Sequence, residues 1–178
     1  RKEKRMMTIA WHKNLKKLDP CAYAVAWAKK YETFEAAWNA CERGDWMLWL
    51  CGRLAGEPWS ESRRTLVLAA CECARLALGH APAGEMRPQQ CIEAHESWAR
   101  GERDDHAALR LLAAAAADAA DDAAYAAAAT YSAASAAYAA SAAYAAATDA
   151  AQSGDLRLCA DIVRRHYRAE EVLELLWS

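Results

Sequence analysis

The chain is 178 residues long, with 22 Lys and Arg against 24 Asp and Glu and a formal net charge of −2. Such a length fits one domain able to bury about 70% of its unfolded surface, and the near-neutral balance argues against a general nucleic-acid binder, which would need many cationic phosphate contacts. The seven cysteines are odd in number and stand mostly among Ala, Leu and Trp at helical spacing, so they read as small buried hydrophobes of a reducing compartment rather than as a disulfide framework.

Residues 1–17 carry seven Lys and Arg against the single acid Glu3, a basic arm or short helix over 1–18 of the kind that keeps a protein in solution. No signal-peptide apolar region follows it. The apolar runs are too short or too alanine-rich to span a bilayer, so a cytoplasmic protein with no membrane partner and no direct nucleic-acid partner is expected. The fold class expected is all-α: a helical bundle of about seven helices organised around a long Ala/Tyr-rich helix. Its single domain covers 19–168, and a helical tail covers 169–178.

Helix punctuation is legible from residue 19 onward. Asp19-Pro20 supplies an N-cap and a first-turn proline for a helix near Cys21–Tyr31. Thr33 caps the next, to about Cys41. Arg43-Gly44-Asp45 reads as a stop and a start, with Gly44 at a left-handed C′ position and Asp45 as N-cap. The same three residues spell an adhesion tripeptide, for which capping is the simpler account. Trp46 to Cys51 is apolar all round, as in a buried central helix. Gly56, Pro58 and Ser60 make a loop and cap before a helix from Ser62 to Leu78, with Leu66, Leu68, Ala69, Cys73 and Leu76 near one face. Arg87-Pro88 opens another, which runs to Trp98 and stops at Gly101. No period-2 stretch is bounded by turn residues, so no strand is expected.

The segment 107–151 has 28 alanines in 45 residues and neither glycine nor proline. Alanine has the highest helix propensity, and an unbroken helix here would run about 65–70 Å. It must break near Thr130–Ser135, project, or be buried by other helices or by a second copy, which makes a homo-oligomer through this helix an open alternative. Tyr125, Tyr131, Tyr138 and Tyr144 do not share one face and read as wedges in the gaps that alanine leaves. A helix from about Asp155 to Tyr167 ends in Arg164-Arg165-His166, which suits a helix C-terminus. The turns from Glu171 to Trp177 form the tail. Of the eight tryptophans, Trp59 and Trp177 are the two expected to be exposed.

Candidate chemistry is sparse. Cys71-Glu72-Cys73 with His80 nearby lacks zinc spacing, because two cysteines two apart on a helix point about 200° from each other. No nucleophile elbow and no phosphate-cradling glycine loop is present. No catalytic, cofactor or metal site is therefore expected. Asp118, Asp121, Asp122 and Tyr125 fall on one helical stripe. They form either the solvated face of a helix or an acidic surface for a basic partner with Tyr125 as anchor. Glu85 and Arg87, in the loop before Pro88, are a second candidate contact.

Several blocks together carry a resemblance: Cys41-Glu-Arg-Gly-Asp-Trp-Met-Leu-Trp-Leu50, Leu68-Ala-Ala-Cys-Glu-Cys-Ala-Arg-Leu-Ala-Leu78, Gly84-Glu-Met-Arg-Pro88, Ile92-Glu-Ala, Trp98-Ala-Arg-Gly-Glu102 and the Ala/Tyr tract. Over roughly 20–168 the chain resembles the helical immunity-protein family of bacterial and phage genomes. The resemblance implies a small intracellular protein that neutralises a toxin or another effector by binding it, and it brings no binding residues to carry over. A phage-encoded inhibitor of a host defence complex, and an enzyme with a site between helices built from scattered His, Cys and Arg residues, are the alternatives.

Overall fold

A computed structural model describes residues 11–76, 78, 83–121 and 156–178, with side chains at all of these except 116–121. Among the described residues every regular element is helical and none is a strand, so the all-α class holds. The chain divides into two compact units, Arg1–Glu42 with Tyr167–Ser178, and Arg43–His166.

In the first unit, α1 (11–17) buries Trp11 and Leu15, four residues apart on one stripe, and exposes Lys13, Lys16 and Lys17. Asp19 is not the N-cap expected. It takes a left-handed φ of 58° and donates its N–H to Lys16 O at 3.1 Å, closing α1 in the manner of a C′ residue. The capping role passes to Cys21, whose Sγ accepts from the Ala24 N–H at 3.4 Å, and α2 spans Ala22–Ala28. Thr33 does cap α3 (Phe34–Ala40), its Oγ1 accepting from Ala36 N at 3.1 Å. Trp11 meets Phe34 edge-on at 5.6 Å and Phe34 stacks on Trp38 at 5.8 Å. The last helix of the chain, Ala169–Trp177, packs on α3 with Val172 and Leu176 buried.

In the second unit, α4 (Gly44–Leu54) buries Met47, Leu48, Leu50 and Cys51, as its all-round apolar sequence requires. Its start corrects the sequence reading. Gly44 is the first helical residue with Arg43 before it, so it is neither a C′ residue nor followed by an N-cap. What Gly44 supplies is space, since a Cβ there would lie 2.6 Å from the Ala160 nitrogen and closer still to the Cys159 Cβ. Asp45 is fully buried and paired with Arg43, whose Nε donates to Oδ1 at 2.8 Å while its Cζ sits 4.4 Å over the Trp46 ring. The Arg43-Gly44-Asp45 tripeptide therefore presents no free carboxylate.

At the other end of α4, buried Arg63 donates from Nε to Gly56 O at 2.6 Å and from Nη2 to Gly52 O at 3.4 Å. It thereby satisfies the Gly52 carbonyl in the last turn of the helix and a carbonyl of the loop that follows it. A 3₁₀ turn, Glu61–Arg63, leads into α5 (Arg64–Arg75). Ser60 precedes it without a side-chain cap and bonds Ser62 instead at 2.8 Å. The buried face of α5 is broader than the one read from sequence: Leu66, Ala69 and Cys73 are joined by Val67, Ala70, Cys71 and Ala74, whereas Leu68 and Leu76 are only half-buried.

α6 (Arg87–Ala99) opens on Pro88 and packs on α5. Its end is a Schellman closure at Gly101 (φ +77°), with Gly101 N to Trp98 O at 2.8 Å and Glu102 N to Ser97 O at 2.9 Å. α7 (His106–Asp121) is capped by Asp105, whose Oδ1 accepts from Ala108 N at 3.0 Å. The helix expected over 107–151 lies outside the described residues beyond Asp121, and with it any break near 130–135. α8 (Leu156–His166) packs on α4 and α5, and α9 is the terminal helix Ala169–Trp177.

Candidate functional site

α7 has an inner and an outer side, both set by helical period. Leu109 is buried, and Leu112 and Ala113 pack on Cys91 of α6. Ala107, Arg110, Leu111 and Ala114, at i, i+3, i+4 and i+7, are exposed. Leu111 is 72% exposed, although Leu109 two residues before it is fully buried and Leu112 next to it is half-buried.

The first turns of α7 also cover Trp59. His106 stacks on the Trp59 ring with centroids 4.4 Å apart and planes 20° apart, and Arg110 Cζ lies 6.0 Å from the same centroid. Trp98 of α6 meets Trp59 edge-on at 5.2 Å, and His95 lies below it at 6.3 Å with its Nδ1 2.9 Å from Cys91 O. Trp59 holds a left-handed φ of 65°, a conformation that costs a bulky residue energy and needs surrounding contacts to hold it. The stack on α7 supplies them. Trp59 is thus half-buried rather than the exposed loop residue the sequence suggested; Trp177 is exposed as expected.

Asp118 and Asp121 lie on the backbone of α7, eleven residues after Ala107 and Arg110 and so about three full turns along the same face. Asp122 and Tyr125 lie outside the described residues. Glu85 and Arg87 are brought together with each other. Glu85 Oε1 accepts from the Arg87 N–H at 3.0 Å and from its Nε at 2.8 Å. The Arg87 side chain, then its backbone N–H, holds the Glu85 carboxyl down at about 2. That carboxylate serves the N-terminus of α6, and the apolar side chain offered there is Met86, 49% exposed.

Cys71 and Cys73 lie in the core, while Glu72 between them turns outward to Arg165 and to His166 Nε2 at 2.8 Å. Burial pushes the thiols of Cys51 and Cys71 well up and that of Cys91 up to about 12, which suppresses the reactive thiolate. Among the described residues no three His, Cys, Asp or Glu side chains converge as metal ligands, and His80 lies outside them. The stack of Trp59, His106 and Arg110 was missed from sequence because 47 or more residues separate the tryptophan from its partners; the only local signal is the i, i+4 pair His106 and Arg110.

No family model, no curated protein and no solved structure matches the chain, so the likeness to the immunity-protein family rests on the sequence blocks alone.

Proposed function

We propose that the chain is a non-enzymatic cytoplasmic binding protein of the immunity type, which neutralises a toxin or effector by occluding it with the outer side of α7. The observation that carries this reading is Leu111, 72% exposed beside exposed Arg110, with Arg110 resting against Trp59. Leu111 supplies an exposed apolar contact, and Arg110 beside it is a residue type enriched in binding hot spots. The aspartates at 118 and 121 follow on the same register, so the surface suits a basic partner and would steer its approach. In this reading the Ala/Tyr-rich segment 105–151 is the long helix about which roughly seven helices are organised, and Asp122 and Tyr125 extend the surface. The family likeness supports neutralisation as the purpose of binding.

The test is affinity capture from lysate, comparing the natural chain with Leu111→Ser and with Asp118→Lys/Asp121→Lys/Asp122→Lys. A basic protein retained by the natural chain and lost from both variants supports the proposal. A protein retained equally by all three places the binding surface elsewhere.

A further inference from the structure

α1 and α2 form a hairpin, pinned where His12 Nε2 meets Ala28 O at 3.1 Å and where Trp11 Nε1 donates to Glu32 O at 3.4 Å. The outward residues of α1 are Lys13, Lys16 and Lys17, one stripe at i, i+3 and i+4. From Ala22 to Ala28, α2 has no charged residue, yet it buries only Ala28. Ala22, Tyr23 and Ala26 are exposed, Tyr23 at 83%, and their stripe runs off the helix into exposed Lys29 and Lys30. Residues 11–31 thus carry five lysines against Asp19 alone, in a chain whose net charge is −2. The exposed stripe of Ala22, Tyr23 and Ala26, edged by cations, is complementary to an occupant that is both apolar and anionic.

We propose that this hairpin docks on an anionic lipid surface, with Tyr23 seated at the headgroup boundary and Lys13, Lys16, Lys17, Lys29 and Lys30 drawn to the lipid charges. Tyrosine favours that boundary, where its ring is buried and its hydroxyl stays wet. Lysines near an anionic leaflet are each attracted to it, and a basic helix with an apolar face lies in the interface plane. Lipid is favoured over nucleic acid by the cations themselves. All five are lysines, point charges suited to a diffuse surface, and none is an arginine with the planar fork that grips single phosphates. Ala22 and Ala26 bring no side-chain donor or acceptor to a base edge. Docking requires no spanning segment, and no helix among the described residues is long and apolar enough to cross a membrane. The inference departs from the expectation of no membrane partner and is independent of the surface on α7.

The test is co-sedimentation of the full chain with vesicles of phosphatidylcholine alone and with phosphatidylglycerol added. Binding is expected only with phosphatidylglycerol, and raised salt should weaken it. Lys29→Glu/Lys30→Glu should lower the partition coefficient at least about tenfold, from about fivefold per lysine, and Tyr23→Ser should lower it severalfold. Should the α2 variant lose helix content, Lys16→Glu/Lys17→Glu on α1 gives the same comparison. No binding to phosphatidylglycerol vesicles overturns the proposal. So does vesicle binding that none of these variants alters, and so does binding to DNA or heparin without binding to vesicles.

Discussion

Gly44 of α4 lies against Cys159 of α8 so closely that the glycine has no room for a side chain. This approach lets two helices distant in sequence share a core with Cys73, whose Sγ is 3.9 Å from Cys159 O. Gly44→Ala should force α4 and α8 apart and destabilise the protein by about 1–3 kcal/mol, the usual range for overpacking. Urea unfolding monitored by tryptophan fluorescence checks this; an unchanged midpoint would remove the close approach from the account.

Arg43 and Asp45 are unequally exposed, at 39% and 0% of their side chains, and that inequality gives an ordered expectation. Arg43→Ala strands a fully buried carboxylate and should cost about 3–5 kcal/mol. Asp45→Ala leaves an arginine that can reach water and should cost less, about 1–3 kcal/mol. Equal or reversed losses in chemical denaturation would show that the buried carboxylate has other support.

Glu72 ties α5 to the last turn of α8. Partial burial alone would raise its carboxyl, but hydrogen bonds from His166 and Arg165 outweigh that and hold it below its ordinary value of 4.5. A folded-state value below the unfolded one stabilises the fold above about pH 4.5, and this contribution is lost as pH falls through the folded value. The carboxylate is 40% exposed, so solvent screening limits the gain to about 1 kcal/mol or less. Glu72→Gln should therefore lower the melting temperature slightly at neutral pH and leave it unchanged in strong acid. A difference that grows toward acid would contradict the clasp.

Cysteine labelling separates surface from core. Cys21 is exposed and the other six thiols are buried, so a thiol reagent on the native protein should modify one of seven quickly and the rest only on unfolding. Fast labelling of two or more would mean that the helices open far more readily than their packing implies.

How far the sequence revealed these features depends on how local each one is. Thr33, Pro88 and Gly101 act on the residues beside them, and all three were legible as cap, helix start and helix stop. Gly44 and Trp59 were misread because distant partners decide their roles: Gly44 answers to α8 and Trp59 to α7. Asp19 has a local partner, but it closes the helix behind it instead of opening the one ahead. The same holds for the candidate site: periodicity put Asp118 and Asp121 on one stripe, but only packing against Cys91 shows which side of α7 faces outward and that Leu111 lies on it.

The central claim is that the outer side of α7 is the binding surface. The most direct measurement is the Kd of the captured partner for the natural chain and for Asp118→Lys/Asp121→Lys/Asp122→Lys, with helix content matched by circular dichroism. The account predicts a loss of at least about tenfold that shrinks as salt is raised. An affinity unchanged by the triple reversal would contradict it.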